Sequence, residues 1–96
     1  MRKIEFTTSA INDLEDIKIY YTEQQVPQIG DKFISEIISH VETLIDQSEI
    51  GRIVPEFQVT HIRELIHGAF RIVYQINDSV IYVIRIWRSE RLMKLT

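Results

Sequence analysis

The chain has 96 residues, 45% of them hydrophobic and 26% charged, with no cysteine and a formal net charge of −3. A chain of this length supports a single domain over residues 1–96 with one modest core, and without cysteine it has no disulfides, thiol catalysis or thiolate metal sites. The acidic total disfavours nucleic-acid binding through bulk charge, the alternating start Met1-Arg2-Lys3-Ile4-Glu5-Phe6 is unlike a signal peptide, and no stretch is long enough to span a membrane, so the expected location is the cytoplasm.

Lys3 to Phe6 reads as a short strand. Thr7 follows as a helix N-cap, its hydroxyl placed to accept an unpaired amide of the first turn. The helix it opens is predicted to run to about Gln24. Ala10, Leu14, Ile17 and Tyr21 recur on one face, with Asn12, Asp13, Glu15, Asp16 and Glu23 on the solvated side and the early acidic residues suiting the helix dipole. Gln24-Gln25-Val26-Pro27 breaks the pattern, and Pro27 is suited to opening a second helix. That helix is predicted to reach about Asp46 with Ile29, Phe33, Ile37, Val41, Leu44 and Ile45 inward and His40 exposed. Two amphipathic helices on a short connection imply an antiparallel hairpin. Gly51 and Pro55 interrupt the stretch from Ser48 to Thr60, which reads as a loop with a short extended piece around Arg52 to Val54.

Residues 1–50 carry 4 Lys+Arg against 10 Asp+Glu, a balance of −6, and residues 51–96 carry 7 against 4, a balance of +3. The basic half contains three period-two runs between Ile62 and Arg91, separated by His67-Gly68 and Asn77-Asp78-Ser79, the pattern of an antiparallel meander. A three-residue turn at Asn77-Asp78-Ser79 would pair Ile76 with Val80. It sorts Phe70, Ile72, Tyr74, Ile76, Val80, Tyr82, Ile84 and Ile86 onto an apolar core face and Arg71, Val73, Gln75, Ile81, Val83, Arg85 and Trp87 onto the other. The second face is too apolar to be freely solvated and too charged for a core, so a covering element or partner is expected. A bulge in the last strand would instead let Trp87 close the end of the core. The predicted architecture is α+β, in the order β-α-α-β-β-β, with the N-terminal strand and helical hairpin packed on one face of a small, mainly antiparallel sheet.

The runs Arg63-Glu64-Leu65 to Gly68, Phe70-Arg71-Ile72-Val73-Tyr74 and Ile84-Arg85-Ile86-Trp87-Arg88-Ser89-Glu90-Arg91-Leu92 resemble toxins of the RelE/ParE superfamily. The acidic first helix and Gly51-Arg52 after the second are similar too, so the resemblance spans essentially the whole chain, on motifs that are mostly structural. It implies the toxin of a type II toxin–antitoxin pair, neutralised by a small ParD-like or other DNA-binding antitoxin. RelE-like members cleave messenger RNA in the ribosome with a set of basic residues and often a C-terminal tyrosine, whereas ParE-like members lack that set and poison DNA gyrase. Here Arg71 is retained, but Arg88-Ser89 stands where RelE-like toxins have Lys-Arg. Arg63-Glu64-Leu65 stands where they place two lysines, and the tail Leu92-Met93-Lys94-Leu95-Thr96 has no tyrosine. These departures imply the ParE-like branch and a binding inhibitor of gyrase. A ribosome-dependent RNase using Arg71, Arg85 and Arg88 is the alternative, and a degenerate, non-toxic antitoxin-binding homologue a third.

Cleaving RNA through its own 2′-hydroxyl needs a base, an acid and cations on the phosphate. His61, His67, Tyr74 and Tyr82 are the candidates for proton transfer; His67 sits in a turn and Tyr74 points inward, so neither of these two is well aimed. The expected antitoxin or target surface comprises Arg63, Arg71, Val73, Ile81, Val83, Arg85, Trp87, Arg88 and Arg91. A competing structural reading pairs Arg71 with Glu64 directly across the sheet through a two-residue His67-Gly68 turn. A three-residue turn would bring Arg63 beside Arg71. Neither the His/Asp/Glu spacing nor the glycines suggest a metal, a phosphate loop or another cofactor.

Overall fold

The computed structural model describes residues 2–88. The order is β1 (Lys3–Phe6), α1 (Thr8–Glu23), α2 (Pro27–Glu42) prolonged by a 3₁₀ turn (Thr43–Ile45), β2 (Arg52–Ile53), β3 (Ile62–His67), β4 (Phe70–Ile76) and β5 (Val80–Arg88). The strands form one sheet in the order β1-β5-β4-β3-β2, and β1 runs parallel to β5 while the other pairs are antiparallel. The helical hairpin lies between β1 and the meander in sequence. The architecture is the expected α+β arrangement, with the two-residue β2 added at one edge.

Local chemistry sets the helix ends where expected. Thr7 accepts the amide of Ala10 at 3.2 Å and opens α1. Pro27 opens α2, where its missing N–H costs nothing. Ala10, Ile17, Ile37, Val41 and Leu44 are buried against Leu65, Phe70, Ile72, Tyr74, Ile81, Val83 and Ile86 of the sheet. A run of rings, Tyr21 on Phe33 and Phe33 on Phe70, each 5.5 Å apart, carries the hairpin onto the sheet. Four helical positions depart from expectation. Ile29 and Ile45 point outward, His40 is half-buried, and Asp13 lies on the inward side of α1, where it is 9% exposed. The first turn of α1 contains no acidic residue, so the dipole argument does not apply there.

The two sheet turns also differ from the sequence reading. His67 pairs with Phe70, so the β3–β4 turn is Gly68-Ala69, and Gly68 adopts the left-handed conformation, φ +57°, that a first turn position of this kind requires. At the other turn Ile76 pairs with Ile81, which reverses the expected parity of β5 and puts Ile81 and Val83 into the core at 0% exposure. Ile84 then has no partner, because Tyr74 pairs with Val83 and Val73 with Arg85. This bulge restores the original parity, so Arg85 and Trp87 reach the face expected of them while Ile81 and Val83 do not. The bulge is held from the N-terminus, where Thr7 donates its amide to Val83 O at 3.0 Å and its hydroxyl to Ile84 O at 3.2 Å.

Candidate functional site

The second sheet face is partly covered by the chain itself. After β2 the backbone turns at the buried Val54, whose carbonyl accepts the amides of Phe57 and Gln58, and Gln58 takes a left-handed φ of 54°. The turn carries Glu56 over Arg71, and the two Glu56 carboxylate oxygens accept from Arg71 Nη2 at 3.1 Å and Nη1 at 3.3 Å. From below, Glu64 accepts from Arg71 Nε at 2.7 Å and from Arg52 Nε at 2.6 Å, and its side chain has no exposure. Burial opposes the charge on Arg71, but the hydrogen bonds to Glu56 and Glu64 outweigh it and hold the guanidinium pKa above its ordinary value. Arg71 also holds the Glu56 carboxyl below the usual carboxylate range.

Beside this network Arg71 faces Trp87 and Val73 faces Arg85 across β4 and β5. Two cations approach the Trp87 ring, with Arg85 Cζ 5.1 Å and Arg71 Cζ 5.8 Å from its centroid. Arg85 is oriented by Asp13, whose Oδ2 and Oδ1 accept from Nε at 2.9 Å and Nη2 at 3.0 Å. The same Oδ2 accepts the amide of Ile86 at 2.8 Å. Since β1 pairs with β5 only from Val80 to Val83, Asp13 substitutes for a strand partner at an edge amide that β1 does not reach. The hydrogen bond to Asp13 raises the pKa of Arg85. On the hairpin side, Arg88 places its guanidinium carbon 4.7 Å from the Tyr20 ring and 5.8 Å from that of Tyr21. These groups bound a groove of about 810 Å³ between α1 and the end of the sheet. Its charges balance, with Arg71, Arg85 and Arg88 against Asp13, Asp16 and Glu56, and its apolar lining includes Trp87, Tyr20, Tyr21 and Ile17.

Four of the expected surface residues, Arg71, Arg85, Trp87 and Arg88, meet in this groove. Val73 is on the same face but only 1% exposed, and Ile81 and Val83 are in the core, because the reversed turn parity moves them across the sheet. Arg63 stands elsewhere. It pairs with Tyr74 across the sheet and donates to the carbonyls of Thr60, Gly51 and Glu49, pinning the loops before β2 and before β3. Arg91 lies outside the described residues. The Arg71–Glu64 ion pair forms, though by a diagonal, since Arg71 faces Ile66 and Glu64 faces Val73. The sequence reading missed Asp13, Glu56, Tyr20 and Tyr21. Asp13, Ile17, Tyr20 and Tyr21 follow the spacing i, i+4, i+7, i+8, and that stripe was the available signal for three of them.

The candidates for proton transfer are engaged or remote. Tyr74 Oη accepts the Gly51 amide at 3.0 Å and donates to Ser48 O at 2.8 Å, and burial raises its pKa. Gly51 is confined to glycine by this contact, since a Cβ there would come within 2.5 Å of Tyr74 Oη and 2.7 Å of Glu64 O. His67 contacts His40 and Glu36 of α2. His61 is exposed just before β3, and Tyr82 faces Gln75, five positions along β5 from Trp87. No helix among the described residues is long and apolar enough to cross a membrane.

The fold is similar to that of chains in several solved toxin–antitoxin structures. It matches a chain of the chromosomal ParDE system from P. aeruginosa with a TM-score of 0.77 and 24% identity, covering 92% of this chain and 96% of that one. A chain of the RelBE2 toxin–antitoxin complex from Mycobacterium tuberculosis matches with a TM-score of 0.64, 16% identity and coverages of 91% and 96%. One from the E. coli DinJ–YafQ complex gives 0.58, 11%, 96% and 98%. No curated protein matches the chain significantly. The sequence model for the ParE toxin of the type II toxin–antitoxin system parDE matches residues 4–93, nearly the full length, and the chain belongs to this family of toxins.

Proposed function

We propose that this toxin acts by binding DNA gyrase and leaving cleaved DNA unresealed, and that a cognate antitoxin neutralises it by covering the groove around Trp87. The observation that carries binding over RNA cleavage is the state of the groove's cations. Arg71 is held between Glu64 and Glu56, and Arg85 is held by Asp13. Of the four proton-transfer candidates named from the sequence, none lies in this groove: His67 and Tyr74 are tied to partners on the hairpin side and in the Ser48–Gly51 loop, and His61 and Tyr82 are not among its lining residues. Such a surface offers oriented guanidinium groups and an accessible aromatic ring, the residue types that anchor protein interfaces. A partner carboxylate could replace Glu56 on Arg71, and apolar side chains could lie against Trp87, Tyr20 and Tyr21. The RelBE2 neighbour, named as a toxin–antitoxin complex, supports the antitoxin partner.

The target is tested by inducing the chain in cells without an antitoxin and examining chromosome and transcripts together. Broken DNA with a DNA-damage response is the expected outcome. Cut transcripts over an intact chromosome would overturn the gyrase reading in favour of a ribosome-dependent nuclease. Unimpaired growth with folded protein would leave a homologue that only binds its antitoxin.

A further inference from the structure

Away from the groove, His40 on α2 and His67 at the end of β3 bring their Nδ1 atoms to 3.0 Å, although they are 27 residues apart. The rings are tilted at 56° with centroids 5.1 Å apart, so the two nitrogens face each other edge to edge at hydrogen-bond distance, a place a metal ion would take in exchange for the shared proton. Glu36, one helical turn before His40, places Oε1 3.4 Å from the other nitrogen of His67, Nε2. Side-chain exposures of 24% for His67 and 42% for Glu36 keep the cluster open to solvent. The proposed mechanism uses none of these three side chains.

We propose that His40 and His67 form a divalent transition-metal site of the copper class, with Glu36 orienting His67. Imidazole nitrogens bind such ions at about 2.0–2.1 Å, so two nitrogens 3.0 Å apart subtend about 95° at the metal. That is near the right angle between neighbouring ligands of a square-planar or octahedral ion and well short of the tetrahedral angle of zinc, and among divalent ions copper binds imidazole most tightly. With both Nδ1 atoms on the metal, each ring carries its proton on Nε2. His67 then donates that proton to Glu36, the carboxylate–histidine arrangement that fixes the tautomer of a metal-bound imidazole. The described residues offer no group of three metal-binding side chains, so water completes the coordination. The bound ion would clamp the hairpin to the sheet through α2 and β3. The chain has only three histidines and no cysteine, so competition from other strong side-chain ligands is slight.

The test is titration of the tag-free chain with Cu²⁺, followed by calorimetry and electron paramagnetic resonance. The expected result is one equivalent bound with coupling to two imidazole nitrogens, unchanged in His61→Gln, lost in His40→Gln and His67→Gln, and weakened about tenfold in Glu36→Gln. Binding should also raise the melting temperature of the wild type, with chelator restoring the metal-free value. No stoichiometric binding, a spectrum without two coupled nitrogens, or undiminished binding by folded His40→Gln would overturn the proposal. The spectrum of the wild type decides the matter even if a variant fails to fold.

Discussion

Glu64 holds two guanidinium groups on a side chain with no exposure, and its loss would leave Arg71 with Glu56 alone. Breaking a buried pair by removing one partner is strongly destabilising, so Glu64→Ala should cost about 3 kcal/mol. For a domain of this size that is a fall of roughly 15 °C in melting temperature. Calorimetry checks it, and a shift of a degree or two would show the network to be idle. Asp13 poses a subtler case because one oxygen serves both Arg85 and the Ile86 amide. Asp13→Ala strands that amide and should cost about 2 kcal/mol. Asp13→Asn, which keeps an acceptor for the amide, should lose clearly less in the same chemical denaturation. Equal losses would assign the whole effect to the ion pair.

The loop after β2 is the element that governs access to Arg71, and its latch is an ionised carboxylate. Glu56 has a depressed folded pKa, so its contribution is present above its ordinary value of 4.5 and is lost as pH falls through the lower folded value. Amide exchange over residues 54–60, corrected for the intrinsic rate, should therefore rise on acidification in the wild type. In Glu56→Gln it should already be fast at neutral pH and change little; parallel profiles would contradict the latch. The same loop and strand show what can be read from a chain. The Thr7 cap, the Pro27 start and the period-two runs of β4 and β5 follow from neighbours in sequence, and they were legible. The bulge at Ile84 was not. It depends on contacts with Thr7, 77 residues away, and it cancels a turn that departs from the expected parity. Of the candidate site, Arg85 and Trp87 were therefore placed on the same face as Arg71 by two compensating departures. Ile81 and Val83, lying between turn and bulge, were not. Glu56 reaches the site only because its loop folds back over the sheet, a feature that no local pattern encodes.

At the scale of the whole molecule, an acidic hairpin and a basic sheet meet at the groove, where their charges pair and leave aromatic rings accessible between them. A surface whose charges are already oriented gains specificity on binding without first collecting mobile side chains, which suits the proposed binding of both a target and an antitoxin. In that account Trp87 is the central anchor, and Trp87→Ala should weaken target binding about 30-fold while leaving the fold intact. The measurement that tests the account most directly is supercoiling of relaxed plasmid by purified gyrase, with wild-type toxin, with Trp87→Ala and with neither. The account predicts lost supercoiling and accumulated linear DNA with the wild type, reversal by antitoxin, and a strongly weakened effect for the variant. Undisturbed supercoiling in the presence of folded, antitoxin-free wild type would contradict it.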